Sequence, residues 1–135
     1  MSLRQIPDHE VLYRRIPLDK DHIQPPDRIT SANFKLRSGE LGVSVYRAVA
    51  IDVAGVLTKP EAVAGSRVAQ ATAGQIRAAR NGKGDLLNLD VVPVNDDKDP
   101  GHAEIRGLVP GVISSSAARA LGKLFEFVEP PSEQR

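Results

Sequence analysis

No apolar run in this chain goes far before proline, glycine or a cluster of charges interrupts it, so only short strands and short helices can form. Eleven glycines and ten prolines are spread over 135 residues. Val11-Leu12-Tyr13-Arg14-Arg15-Ile16 reads as a strand that Pro17 closes. Residues 17–30, with three prolines, read as one long Pro-containing loop. Ala32 to Arg37 and Leu41 to Tyr46 read as two strands joined through Ser38-Gly39-Glu40. Val49 to Leu57 is β-branched enough for a further strand, with Gly55 as a possible bulge. Ser66 to Ala71, Asp85 to Val94 and His102 to Val109 complete the set.

Helix starts are marked by caps. Thr58-Lys59-Pro60-Glu61 and Thr72-Ala73-Gly74-Gln75 both have capping-box spacing, and Gly65 and Asn81-Gly82 supply the stops. Ser114 to Ser116 can cap a last helix whose apolar positions Ile113, Ala117, Leu121, Leu124 and Val128 recur at helical spacing. Gly122 costs that helix about 1 kcal/mol relative to alanine. The expected fold is α+β, a mainly antiparallel sheet with two or three short helices, in a single compact domain over residues 1–135. Residues 1–8 and 130–135 are expected to be flexible ends.

Composition removes several classes of function. There is no tryptophan and there are only three phenylalanines and two tyrosines. The core must therefore rest on valine, leucine, isoleucine and alanine, and no aromatic platform for stacking bases is evident. Eighteen basic residues against seventeen acidic ones give a formal charge of +1. No nucleic acid and no membrane partner is expected from that balance, although a local basic patch is compatible with it. The absence of cysteine excludes a disulfide framework, a thiolate nucleophile and cysteine-ligated metals. No signal-peptide or membrane-spanning run is present, so a cytoplasmic protein is expected.

Chemistry-bearing residues concentrate between Asn95 and Gly107. Read as a strand, His102, Glu104 and Arg106 face one way while Ala103 and Ile105 face the other. Asp96, Asp97 and Asp99 add oxygen ligands of the kind calcium or magnesium takes. An EF-hand register fails, because Pro100 falls where glycine is needed and Arg106 where the bidentate glutamate belongs. His102-Ala103-Glu104 matches half of a zinc deaminase signature, but the cysteine half is missing. Turn chemistry alone accounts for the Asp, Pro and Gly, with the polar face of the strand meeting water. Thr72, Gly74 and Arg77 form a second candidate, where an anion could dock at a helix start. Tyr13-Arg14-Arg15 puts one arginine on each strand face; the inward one must pair with a carboxylate such as Glu104, or the strand must lie at an edge. The edge is expected.

One set of residues resembles a known family. Leu12-Tyr13-Arg14, then Ser31 to Phe34, Gly42 to Tyr46, and a late strand carrying Glu104 resemble small ADP-ribosyltransferase-type toxins. In those families an early arginine or histidine, a central serine or tyrosine, and a late glutamate surround NAD. The resemblance implies that Arg14 or Arg15 holds the phosphates, Ser44 or Tyr46 seats the nicotinamide, and Glu104 orients the acceptor. It covers a small share of the chain, which lacks the aromatic residues such pockets usually use.

The leading expectation is a non-catalytic module that binds a partner protein or a small polar ligand and needs no cofactor, with a homodimer through an edge strand possible. The alternative is an enzyme using Arg14 or Arg15, Ser44 or Tyr46, and His102 or Glu104. It would be an NAD-dependent transferase or a hydrolase using a divalent cation.

Overall fold

A computed structural model describes residues 5–58, 65–94 and 101–128. Its frame is a six-stranded antiparallel sheet. The strands are β1 (Val11–Pro17), β4 (Val43–Arg47), β5 (Ser66–Thr72), β6 (Asp90–Pro93), β7 (His102–Arg106) and β8 (Glu126–Phe127). They lie in the order β6-β7-β4-β1-β5-β8. A separate hairpin, β2 (Ile23–Gln24) with β3 (Arg28–Ile29), occupies the segment read as an uninterrupted loop. Among the described residues, three helices, α1 (Val53–Leu57), α2 (Ala73–Arg77) and α3 (Ser115–Leu124), and a 3-10 turn at Ser31–Phe34 complete the fold. The α+β expectation holds.

Alternation builds the core. Leu12 and Ile16 of β1, Val43 and Val45 of β4, Ala69 and Ala71 of β5, and Ala103 and Ile105 of β7 all turn to one face and are buried. Phe34 from the 3-10 turn, Ile76 from α2, and Ala117, Ala118 and Leu121 from α3 close over them. The opposite face is covered by α1, where Val56 packs against Tyr46 and Val68.

Five local expectations are corrected. Residues 32–37 are not a strand: Asn33 and Phe34 are buried in the 3-10 turn, and the Asn33 amide donates to the carbonyls of His22 and Thr30. The 49–57 strand is the helix α1, because Asp52 caps it by accepting from Gly55 N at 2.8 Å. The Asp85–Val94 strand is confined to Asp90–Pro93, after a left-handed Asn88 at φ 57°. The last helix stops at Leu124, and the chain turns into β8 beside β5. Finally, β1 is no edge strand; it is central, between β4 and β5, and the edge strands are β6 and β8. The Thr58–Glu61 capping box runs into residues outside the described ones. Thr72 and Gln75 do form the expected box, and Ser114 caps α3.

Gly122 is needed for contact, not flexibility. A Cβ there would lie 2.9 Å from the carbonyl oxygen of Ile29. Helix propensity alone makes Gly122→Ala stabilising by about 1 kcal/mol. We expect urea denaturation to show the reverse, a loss of about 1–3 kcal/mol, because α3 must back away from β3.

Candidate functional site

The candidate residues meet on the face opposite the main core. Tyr13 pairs with Tyr46, Tyr46 with His102, and Ser44 with Glu104. Arg15 stands two residues after Tyr13, where the pairing of β1 with β4 ends. Alternation then puts Arg15, Ser44, Tyr46, His102, Glu104 and Arg106 on one face of β1, β4 and β7. His102 Nε2 lies 3.0 Å from Ser44 Oγ, and its ring stands 6.0 Å from that of Tyr46. Arg106 donates to Glu104 Oε1 through Nε at 2.9 Å and a terminal nitrogen at 2.7 Å. Both bonds fall on one carboxylate oxygen, which leaves Oε2 to accept elsewhere. The polar face of β7 is partly exposed, with the Arg106 side chain 38% and the Glu104 side chain 17% accessible, while Tyr46 beside it is buried.

Arg14 points the other way, into the packed face. Its two terminal nitrogens donate to the carbonyls of Ser44 and Asn33, each at 2.8 Å. Burial pushes the guanidinium down to about 10, and the adjacent charge of Arg15 pushes in the same direction. At neutral pH the group still carries its proton. The buried arginine was expected to need a carboxylate or an edge; two carbonyl oxygens serve instead, and Glu104 is on the other face. Of the two arginines, only Arg15 shares a face with Ser44 and Glu104.

The helix-start candidate is occupied by the chain itself. The Thr72 hydroxyl accepts from Gln75 N, and Gly74 N donates to the Asp8 carbonyl at 2.8 Å. A Cβ on Gly74 would meet Asp8 Cβ at 2.9 Å. Arg77 is clamped at 2.8 Å by each of Asp8 and Asp90 and also reaches the Ile6 carbonyl. Burial lowers its pKa, but the bonds that Asp90 and Asp8 accept outweigh burial and leave it raised. Asp96, Asp97 and Asp99 lie outside the described residues. Among the described residues, no group of three or more His, Asp or Glu side chains is placed to hold a metal.

Sequence reasoning missed a buried ion pair. Arg47 donates to both Glu10 oxygens, at 2.5 and 2.7 Å, and the pair is 6% and 3% exposed. The hydrogen bonds that Glu10 accepts raise the Arg47 pKa against the effect of burial. Glu10 has the same parity as Leu12, and Arg47 the same as Val45, so inward parity with opposite signs was the available signal. The pair forms one wall of a cavity of about 880 Å³ that Ile6, Pro7, His9 and Val49 also line. None of the cavity's lining residues belongs to the Ser44–Glu104 face.

Three variants test these assignments by urea denaturation. Glu10→Ala leaves a buried arginine without its carboxylate and is expected to cost about 3–5 kcal/mol. Asp8→Ala, which removes a 78% exposed partner of Arg77, should cost less than about 1 kcal/mol. Arg14→Lys cannot reach two carbonyls with one point charge, and a loss of about 1–3 kcal/mol is expected.

Compared with protein-family models, curated proteins and solved structures, the chain matches none.

Proposed function

We propose that the domain binds NAD on the face carrying Arg15, Ser44 and Glu104 and acts as an ADP-ribosyltransferase-like transferase. One observation supports this reading above others: an early arginine, a central serine with a tyrosine, and a late glutamate share one face of three adjacent strands. In the resembling families such a set surrounds NAD. The residue types fit the substrate. The Arg15 guanidinium is a planar fork suited to a diphosphate. The Ser44 hydroxyl is suited to the amide of nicotinamide. His102, hydrogen bonded to Ser44, fixes the direction of that hydroxyl.

The chemistry would break the bond between nicotinamide and ribose, whose electrons leave with nicotinamide. Positive charge then develops on the ribose, and the Glu104 carboxylate stabilises it electrostatically. The acceptor's nucleophile forms the new bond to the same ribose carbon, and its proton passes to Glu104 Oε2 or to water.

A second reading, a protein-binding module, is favoured by a different observation. Leu108, Val109, Val112 and Leu41 are 77%, 59%, 52% and 51% exposed. Gly111 N bonds the Leu41 carbonyl, which joins the two segments that carry them. Clustered apolar exposure of this kind marks interaction surfaces.

Thermal unfolding with and without NAD separates the two. Under the transferase reading, NAD at 100 times its dissociation constant adds about 2.7 kcal/mol, and free nicotinamide accumulates. Arg15→Ala should lose the stabilisation, whereas Glu104→Gln should keep it and release nicotinamide at least about 100-fold more slowly. Neither stabilisation nor nicotinamide release at millimolar NAD would sink the transferase reading and leave the apolar surface as the better account.

A further inference from the structure

The molecule carries a cationic groove on the side away from the candidate site. Three concave regions of about 470, 430 and 280 Å³ run along α3. The first two share Arg28, Gly122 and Lys123, and the last two share Arg119 and Lys123, so they form one continuous track. Arg28, Lys35, Arg67, Arg80, Arg119 and Lys123 line it, against the acids Asp21, Asp27 and Glu126. Asp27 is engaged by Arg67 at 3.2 Å. Among the described residues the other five cations make no ion pair; Arg28 bonds the neutral amide of Gln24, and Arg80 the carbonyl of Gly84. No acidic residue occurs anywhere in α3. Arg119 and Lys123 stand four residues apart on its exposed face, a like-charge spacing that slightly destabilises a helix. The net charge of +1 hides this local excess.

We propose that this groove binds the sugar–phosphate backbone of single-stranded nucleic acid. Charge complementarity is the first reason. The second is spacing: side chains at i and i+4 start about 5–6 Å apart, which matches the step between successive phosphates of an extended strand. The third separates nucleic acid from an acidic protein segment. A peptide needs apolar seats for its anchoring side chains, but the large apolar residues of the track, Ile29 and Phe125, are themselves buried. Phe127 already has the Arg67 guanidinium 3.7 Å from its ring centroid. Binding is therefore read from phosphates, without base stacking and without sequence preference. It is independent of any NAD chemistry on the other face of the sheet.

The test is fluorescence anisotropy with a labelled oligothymidylate of about a dozen nucleotides, titrated with the whole chain at several salt concentrations. Affinity should fall as salt rises, with a logarithmic slope of about −0.7 for each phosphate neutralised. The double variant Arg119→Gln/Lys123→Gln should bind about 10-fold or more weakly with a smaller slope, while its melting temperature stays within a few degrees of the parent's. Lys35→Gln, outside α3, should also lower affinity and slope, and it keeps the test valid if the helix variant melts early. Three results would overturn the proposal: no binding at low salt, undiminished binding by both variants, or competition by polyglutamate as effective as by unlabelled oligonucleotide. The last would assign the groove to an acidic protein segment.

Discussion

The sheet parts between its two central strands, and a buried arginine fills the gap. β1 pairs with β5 along all of its length, from Val11 with Thr72 to Pro17 with Ser66, but with β4 only at Leu12 and Tyr13. Beyond that point the Ser44 carbonyl accepts from the Arg14 side chain instead of continuing the ladder. The second arm of the same guanidinium takes the Asn33 carbonyl and so fixes the 3-10 turn against the sheet. Desolvating a guanidinium is costly, and it is tolerable here because two charge-assisted hydrogen bonds are made. Arg14 thus acts with the Asn33 amide, which bonds the His22 and Thr30 carbonyls, to hold the 3-10 turn where the Phe34 ring lies tilted against that of Phe125, 5.1 Å away.

Much of the fold was legible wherever a local rule decided the outcome. The parity of Ala103 and Ile105 against His102, Glu104 and Arg106 emerged as read, with the first two fully buried. The Thr72–Gln75 box and the Ser114 cap were visible because a cap is a contact between residues three apart. Failures came where distant partners decided. Residues 32–37 have an acceptable strand pattern, but the main-chain and side-chain groups of Asn33 are committed to Arg14, His22 and Thr30. Val53–Leu57 is rich in valine, yet the Asp52 cap and the burial of Val56 against Tyr46 and Val68 override its strand propensity. Nor could sequence show that β1 is central, because its neighbours begin thirty and more residues later.

For the site, parity grouped His102, Glu104 and Arg106, and the family resemblance added Ser44 and Tyr46, but neither said which of two consecutive arginines shares their face. That choice depends on which face of β1 carries the main core, a property of the sheet as a whole. The Glu10–Arg47 pair was hidden for a related reason: each residue looks like an ordinary surface charge until its strand is known to end under the N-terminal segment.

The parting of β1 from β4 also sets the electrostatics of the opposite face. Arg14 and Arg15 are consecutive, so their guanidiniums lie on either side of a single strand. Their repulsion is the second cause, after burial, of the depressed Arg14 pKa. Arg106 adds a third cation two residues from Glu104, the single carboxylate on that face of β7. Arg106 and Glu104 meet through one carboxylate oxygen, so each balances the charge of the other within β7.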